Sequence, residues 1–410
     1  MHIRARIAAI AGLTVVSLAA DCNTTPEPTP PPGSWLVLLC KASNMPAEPQ
    51  QAPFYEATFS RDSAELLWQY FNEMSGGTVD VSGSRVRGWF TMATDSATLA
   101  VRTRTTTPSR VQTAQDCRSA AAVGLANQGI GVDMEDYAGI ISVINMPVDV
   151  GQAGRGNAVV AGHFENDISA VEHEMLHVLG LPHSLTPPND VGVDHIFAFD
   201  TLAAPYKDCW DMMSYAGCAY SFTTARHGEQ GPGLHAANLE KLGWIDASRV
   251  FAPGAASVQQ TVMLAPVSER SKPGILLARV EVPAGNYVIE YRKPSGFDRA
   301  FLSPGVIIRE ERGVNRITYL VTRSTDAVEW KQGDVFTDSR NFLRIAVTGL
   351  TLDFANVEIN TGWSPTGPPV AEGGVCGHKS TGQVSPCAAG LRCVQPRNNQ
   401  TWSVDYFCRP

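Results

Sequence analysis

Residues 173–183 read His-Glu-Met-Leu-His-Val-Leu-Gly-Leu-Pro-His, the pattern HExxHxxGxxH, and few stretches of this length restrict a chain's geometry as tightly. A helix predicted over 168–179 puts His173 and His177 one turn apart on a single face, the spacing at which two imidazoles share one metal ion. Gly180 is the residue expected to end that helix, because glycine takes a left-handed backbone without steric cost. The reversal brings His183 back as a third ligand. Three protein ligands leave a fourth position for water, the mark of a catalytic rather than a structural zinc site. Glu174, beside the first histidine, is placed to act on that water and not to bind the metal. An apolar helix with ordinary buried histidines accounts for HExxH alone. It does not account for the added glycine and third histidine.

About thirty residues beyond His183, residues 211–215 read Asp-Met-Met-Ser-Tyr. Together the two stretches resemble the metzincin zinc endopeptidases, whose long zinc motif is followed by a tight turn carrying a methionine beneath the metal. The resemblance implies one zinc ion on His173, His177 and His183, Glu174 as general base, Met213 as the methionine of the turn, and Tyr215 as a hydrogen-bond donor to the developing oxyanion. Core packing is the plain alternative for Met213 and Tyr215. Residues 64–91, with Tyr70-Phe71 and Gly88-Trp89-Phe90, look like the gametolysin and immune inhibitor A branches of secreted zinc peptidases. So does 235–246, where a helix closing the catalytic domain ends at Leu242-Gly243-Trp244. The likeness spans residues 34 to about 360 loosely, and is specific at the zinc motif, the methionine turn and the Leu-Gly-Trp step. It implies an α+β catalytic domain, a twisted mixed sheet with helices packed on it.

At 410 residues the chain has room for two or three domains. Arg4 and Arg6 precede an apolar run from Ile7 to Ala20, so residues 1–20 read as a secretory signal peptide. An acylated Cys22 is the lipoprotein variant, which Asp21 does not fit because a small residue belongs there. Residues 21–33 are a proline-rich linker. The catalytic domain is expected over 34–248, with a buried strand at 35–43, a helix at 62–74, a strand within 78–91, a helix at 108–127 and a strand at 137–145. Residues 249–362 carry short alternating runs separated by turn residues, the pattern of a β-sandwich with a substrate-binding or packing role. A linker at 363–375 leads to a cysteine-rich module at 376–410, too poor in apolar residues to fold without crosslinks.

The cysteines divide by region. Setting Cys22 apart, Cys40 and Cys117 lie in the upper part of the catalytic domain and Cys209 and Cys218 flank the methionine turn. Cys376, Cys387, Cys393 and Cys408 crowd the C-terminus, where their pairing is open. Even counts predict disulfides made in an oxidising compartment, with Cys209–Cys218 bracing the loop beneath the metal. Calcium on Asp190, Asp194, Asp200 or Asp208 is conceivable, but these read as solvated loop acids. His163, His195, His227 and His235 read as surface or loop residues. The net charge of −8 argues against nucleic acid and anionic membranes as partners. Protein or peptide substrates are expected, cleaved by a secreted enzyme with no transmembrane helix in its mature chain. The rival classes are a secreted binding or adhesion protein with a degenerate zinc site, and a zinc hydrolase of a non-peptide substrate.

Overall fold

An unbroken apolar run belongs in a sheet covered on both faces, and Trp35–Cys40 is buried at every residue. The computed structural model describes residues 25–410 apart from 63–65, 103–106, 149–150, 155, 161–166, 186–207, 215–219, 226, 255–257, 283–284, 322–327, 339–340, 364–370, 379–382, 386, 389–391, 395–396, 399–400, 403–404 and 410. The expected signal peptide and Cys22 lie outside the described residues.

The first unit runs β1 (Thr25–Pro26), β2 (Trp35–Lys41), α1 (Ala52–Glu56), α2 (Leu67–Ser75), β3 (Arg85–Thr91), α3 (Ser96–Arg102), α4 (Thr107–Asn127) and β4 (Ile130–Gly131). It continues with β5 (Gly139–Ile144), β6 (Gly151–Gln152), β7 (Asn157–Val160), α5 (Ile168–Val178), β8 (Phe222–Thr224), β9 (Gly228–Gln230) and α6 (Ala236–Lys241). Its main sheet has the order β3-β2-β5-β7-β6. The first four strands are parallel, and β6 turns back antiparallel on β7. Alternate residues of β2 serve two cores. Trp35, Val37 and Leu39 join Ile141, Val143, Ile168, Val171 and Met175 on the side of α5. Leu36, Leu38 and Cys40 join Ala114, Cys117, Ala121 and Leu125 of α4 on the other. Cys40 and Cys117 form a disulfide across that second core.

Two local expectations need correction. The helix predicted from residue 62 begins at Leu67, after an extended Leu66. Upstream of it Arg61 is ion-paired with Asp80, which also accepts a hydrogen bond from Trp68 Nε1 at 3.0 Å. The proline-rich stretch is extended, yet from Thr25 on it lies against the domain. β1 pairs with β4, and Glu27 bridges Arg85 at 2.6 Å and Arg87 at 2.5 Å on the edge strand β3. Partial burial raises the Glu27 carboxyl, but the bonds and charges of Arg87 and Arg85 outweigh this and hold it below the usual range.

Residues 250–360 form two sheets. The strands are β10 (Val250–Phe251), β11 (Gln259–Leu264), β12 (Leu277–Val282), β13 (Gly285–Arg292), β14 (Gly305–Arg312), β15 (Ile317–Val321), β16 (Val335–Asp338), β17 (Leu343–Leu350) and β18 (Ala355–Asn360). One sheet has the order β10-β12-β13-β14-β15 and the other β11-β18-β17-β16. Ile289, Tyr291, Val306 and Ile308 of the first meet Leu343, Ile345, Val347, Val357 and Ile359 of the second. The residues between them point the other way, into the first unit. Val288 joins its core, Ile307 and Leu320 pack with Cys209 and Trp210, and Glu290, Arg292 and Arg309 are fully buried there. This sheet is therefore covered on both faces. One cover is its partner sheet and the other is the unit that carries the HExxH helix.

At the C-terminus, strands Val375–His378, Gln383–Val384, Arg392–Val394 and Asp405–Arg409 share a small sheet. A disulfide joins Cys387 to Cys408, and Cys376 is disulfide-bonded as well. These three sulfurs lie close enough together to suggest a metal, but sulfurs engaged in disulfides are not thiolate ligands. No helix among the described residues is long and apolar enough to cross a membrane.

The Cys40–Cys117 bond spans 77 residues, for which chain entropy gives a stabilisation of about 4 kcal/mol. Replacing both cysteines by alanine should lower the unfolding free energy obtained from urea titration by that amount. A loss under about 1 kcal/mol would show that the packing of α4 on β2 suffices without the crosslink.

Candidate metal centre

The site starts with the capping of α5. Asp167 is the N-cap and accepts hydrogen bonds from Ala170 N at 3.2 Å and Ser169 Oγ. Ile168, Val171, Met175 and Leu176 are buried against the sheet, which leaves His173 and His177 on another face of the helix. After Leu179 the chain reverses at Gly180, whose φ is +99°. Gly180 N donates to His177 O at 3.0 Å and Leu181 N to Leu176 O at 3.1 Å, closing the helix end. Pro182 and His183 follow, and the ring of His183 returns to within 4.5 Å of His177 and 5.3 Å of His173 between centroids.

The three imidazoles present nitrogens that all lie within 4.8 Å of one another. His177 Nε2 and His183 Nε2 are 3.0 Å apart. Two ligands on one tetrahedral zinc at ordinary Zn–N distances are separated by about 3.3 Å, so the spacing fits. Tautomers are fixed from behind. His173 Nδ1 lies 2.8 Å from Met212 O, and His177 Nδ1 lies 2.8 Å from Leu181 O. A carbonyl oxygen only accepts, so both Nδ1 atoms carry hydrogen and both Nε2 atoms keep a lone pair for a metal. Burial, then the charge of His177, pushes His173 down to about 3, against the pull of the Met212 carbonyl. Burial, His177 and Arg110 push His183 down to about 4. His177 is lowered too, chiefly by burial. Neutral imidazoles are what a metal requires.

Glu174 sits one residue beyond His173 on the same helix, half-buried, with its Oε2 shielded from solvent. Met213 is fully buried in the core that contains Met175, Leu176 and Leu181. Tyr215 and Cys218 lie outside the described residues, although Cys209 is disulfide-bonded. Asp190, Asp194, Asp200, His163 and His195 fall outside them as well.

Other residues at the site carry more than the sequence reading gave them. Asp208 is not a solvated loop acid; it is fully buried and ion-paired with Arg309 at 2.5 Å. His227 and His235 are not on the surface; both have no exposed area. His227 packs on the ring of Phe54 with centroids 4.7 Å apart. His235 caps α6, accepting Asn238 N on Nδ1 at 3.1 Å, while its Nε2 bonds Thr318 Oγ1 at 3.0 Å. Asp211 opens the Asp-Met-Met-Ser-Tyr stretch and is buried. Its Oδ1 accepts Met213 N at 2.8 Å, an Asx-turn that the acid two residues before the methionine could have signalled. The same oxygen accepts Ser184 Oγ at 2.9 Å and Asn238 Nδ2 at 3.2 Å. Asp211 thus joins the methionine turn to the residue that follows His183.

An added Cβ at Gly180 meets no atom within 4 Å, so Gly180→Ala tests the backbone alone. Forcing alanine to a φ near +99° costs about 1–3 kcal/mol. The expected outcome is a stability loss of that size together with weaker zinc binding in a chelator competition. A variant with wild-type zinc affinity would show that the turn does not set the position of His183.

No protein-family model matches the chain, and no curated protein matches it. What the centre does must be read from its own geometry.

Proposed function

We propose that the chain is a secreted zinc endopeptidase of the metzincin type, with His173, His177 and His183 as the ligands of one zinc ion. The observation that carries this reading is the pair of Nδ1–carbonyl contacts, which turn two Nε2 lone pairs toward the place His183 also reaches. Support for the metzincin type comes from Met213, buried in the core that also holds Met175, Leu176 and Leu181, and from the mixed sheet, in which β6 runs antiparallel on β7. The disulfides Cys40–Cys117 and Cys387–Cys408 fit an oxidising compartment. The Leu-Gly-Trp step closes α6, with Trp244 N bonded to Leu239 O at 2.8 Å, in keeping with the gametolysin and immune inhibitor A branches.

When bound, zinc supplies Lewis acidity that polarises a carbonyl and brings the pKa of a water down to roughly 7. The remaining work falls to side chains. The Glu174 carboxylate accepts the proton of the attacking water and passes it to the nitrogen of the departing amine. Tyr215 donates its phenolic hydrogen to the oxygen on which negative charge develops.

Glu174→Ala should keep one zinc per chain and lose about 10²–10⁴-fold in casein cleavage, whereas His177→Ala should lose both. Metal analysis and cleavage assays on the purified mature chain check this. Undiminished cleavage by Glu174→Ala would sink the mechanism, and a wild-type chain without stoichiometric zinc would sink the site.

A further inference from the structure

We propose that Arg309, carried by the second unit, is a positioning residue for the metal centre. The proposal rests on reading His173, His177 and His183 as zinc ligands.

The path begins with a buried ion pair. Arg309 Nε and Nη2 meet the two oxygens of Asp208 at 2.5 and 3.2 Å, and Nη1 meets Glu290 Oε1 at 2.5 Å. Asp208 opens the turn beneath the histidines. Its carbonyl accepts Asp211 N at 2.9 Å and its Oδ1 accepts Trp210 N at 3.3 Å. From Asp211 onward the turn reaches two ligands. Met212 O orients His173, while Met213 O accepts Ser184 N at 2.9 Å and Asp211 Oδ1 accepts Ser184 Oγ, holding the residue bonded to His183. The Glu290 arm closes the figure, since its Oε2 accepts Ala236 N at 2.6 Å at the start of α6, and α6 supplies Asn238 to Asp211.

A second contact from the same sheet acts on the same segment. Leu185 N donates to Thr318 O at 2.9 Å and Leu320 N to Leu185 O at 2.8 Å, so Leu185, two residues past His183, makes a single parallel bridge to Tyr319 of β15. His183 is thereby held between the turn and the second unit.

Charge explains why an arginine is needed. Asp208, Asp211, Glu290 and Asp298 are buried together, with Arg309 and Arg292 as the buried cations facing them. His235 also faces the cluster and is held neutral by burial and by the nearby arginines. Arg292 is committed to Asp298 and Glu290. Without Arg309, Asp208 has no cation beside it among the described residues, and the turn must shift to hydrate its carboxylate.

The test uses the full mature chain with zinc or cobalt(II) added, reading metal affinity by chelator competition and ligand geometry from the cobalt absorption spectrum. Arg309→Met should weaken zinc about 10–100-fold, the usual effect of losing an outer partner of a ligand, and should alter the cobalt bands. Asp208→Asn combined with Arg309→Met removes both charges and should recover most of the affinity. Ile345→Ala lies in the core between the two sheets, away from the turn, and serves as the control. It should lower thermal stability while leaving affinity and spectrum as in wild type. If Arg309→Met does not fold, Arg309→Lys carries the test, because it keeps the charge but loses the two-pronged contact. It should show a smaller loss of affinity with the same spectral change. Wild-type affinity and spectrum in the folded Arg309 variant would overturn the proposal. So would equal changes in Ile345→Ala at a matched fall in melting temperature. A wild-type chain that binds neither metal overturns the zinc reading itself, a result distinct from either.

Discussion

A neutral imidazole has one lone pair, and the nitrogen that carries it is decided by what accepts the proton on the other. Here the acceptors are two backbone carbonyls, Met212 O and Leu181 O. One belongs to the turn across the site and must arrive from elsewhere in the chain; the other is the first residue after Gly180, within the motif itself. The ligand atom of His173 therefore depends on tertiary structure, although the ligands sit within one short motif. Much of the architecture can be understood as keeping those two carbonyls in place. α5 is pressed on the sheet through Val171 and Met175, and the turn is pressed on α5 through Met213.

The turn is anchored twice, by apolar side chains (Met212 and Met213 in one core, Cys209 and Trp210 in another) and by buried charge. Ion pairs out of water are poor sources of net stability, since desolvation offsets most of their attraction. What they contribute is geometry. The Arg309 fork fits Asp208 in one orientation, and Asp211 accepts four donors from three different segments. Burial, with the charge of Asp208 adding to it, raises the Asp211 carboxyl to about 6, while Arg309 and backbone donors oppose the rise. The cluster tolerates two more acids than bases among the groups that touch it because nearly every oxygen has a donor.

Where the sequence was legible, local physics decided the outcome. The apolar run of β2 and the apolar face of α5 each report a burial pattern that a single segment sets by itself. Gly180 was legible for the same reason, since its backbone angle concerns no distant residue. The start of α2 was not: the chain is still extended at Leu66, and the helix begins only at Leu67. Nor were Asp208 and His235, whose loop settings look like solvent-exposed ones until Arg309 and Thr318 come to meet them. A clue was present in the strands. Glu290 and Arg309 interrupt otherwise apolar runs at positions where alternation would face them away from the sandwich core. Charges on a sheet face are ordinary when that face is wet, and only the packing of the first unit over β13 and β14 shows that this one is dry.

The same packing bears on how such a protein can change over generations. A sandwich that follows a catalytic domain looks like a module that recombination can exchange, and residue 249 looks like a natural seam. It is not a seam in chemical terms. A crossover there would part Asp208 from Arg309, Ala236 from Glu290 and Leu185 from Thr318 in a single event. A replacement sandwich would have to bring an arginine and a glutamate on adjacent strands, in register, or leave carboxylates stranded beneath the histidines. The two halves are coupled chemically across that boundary.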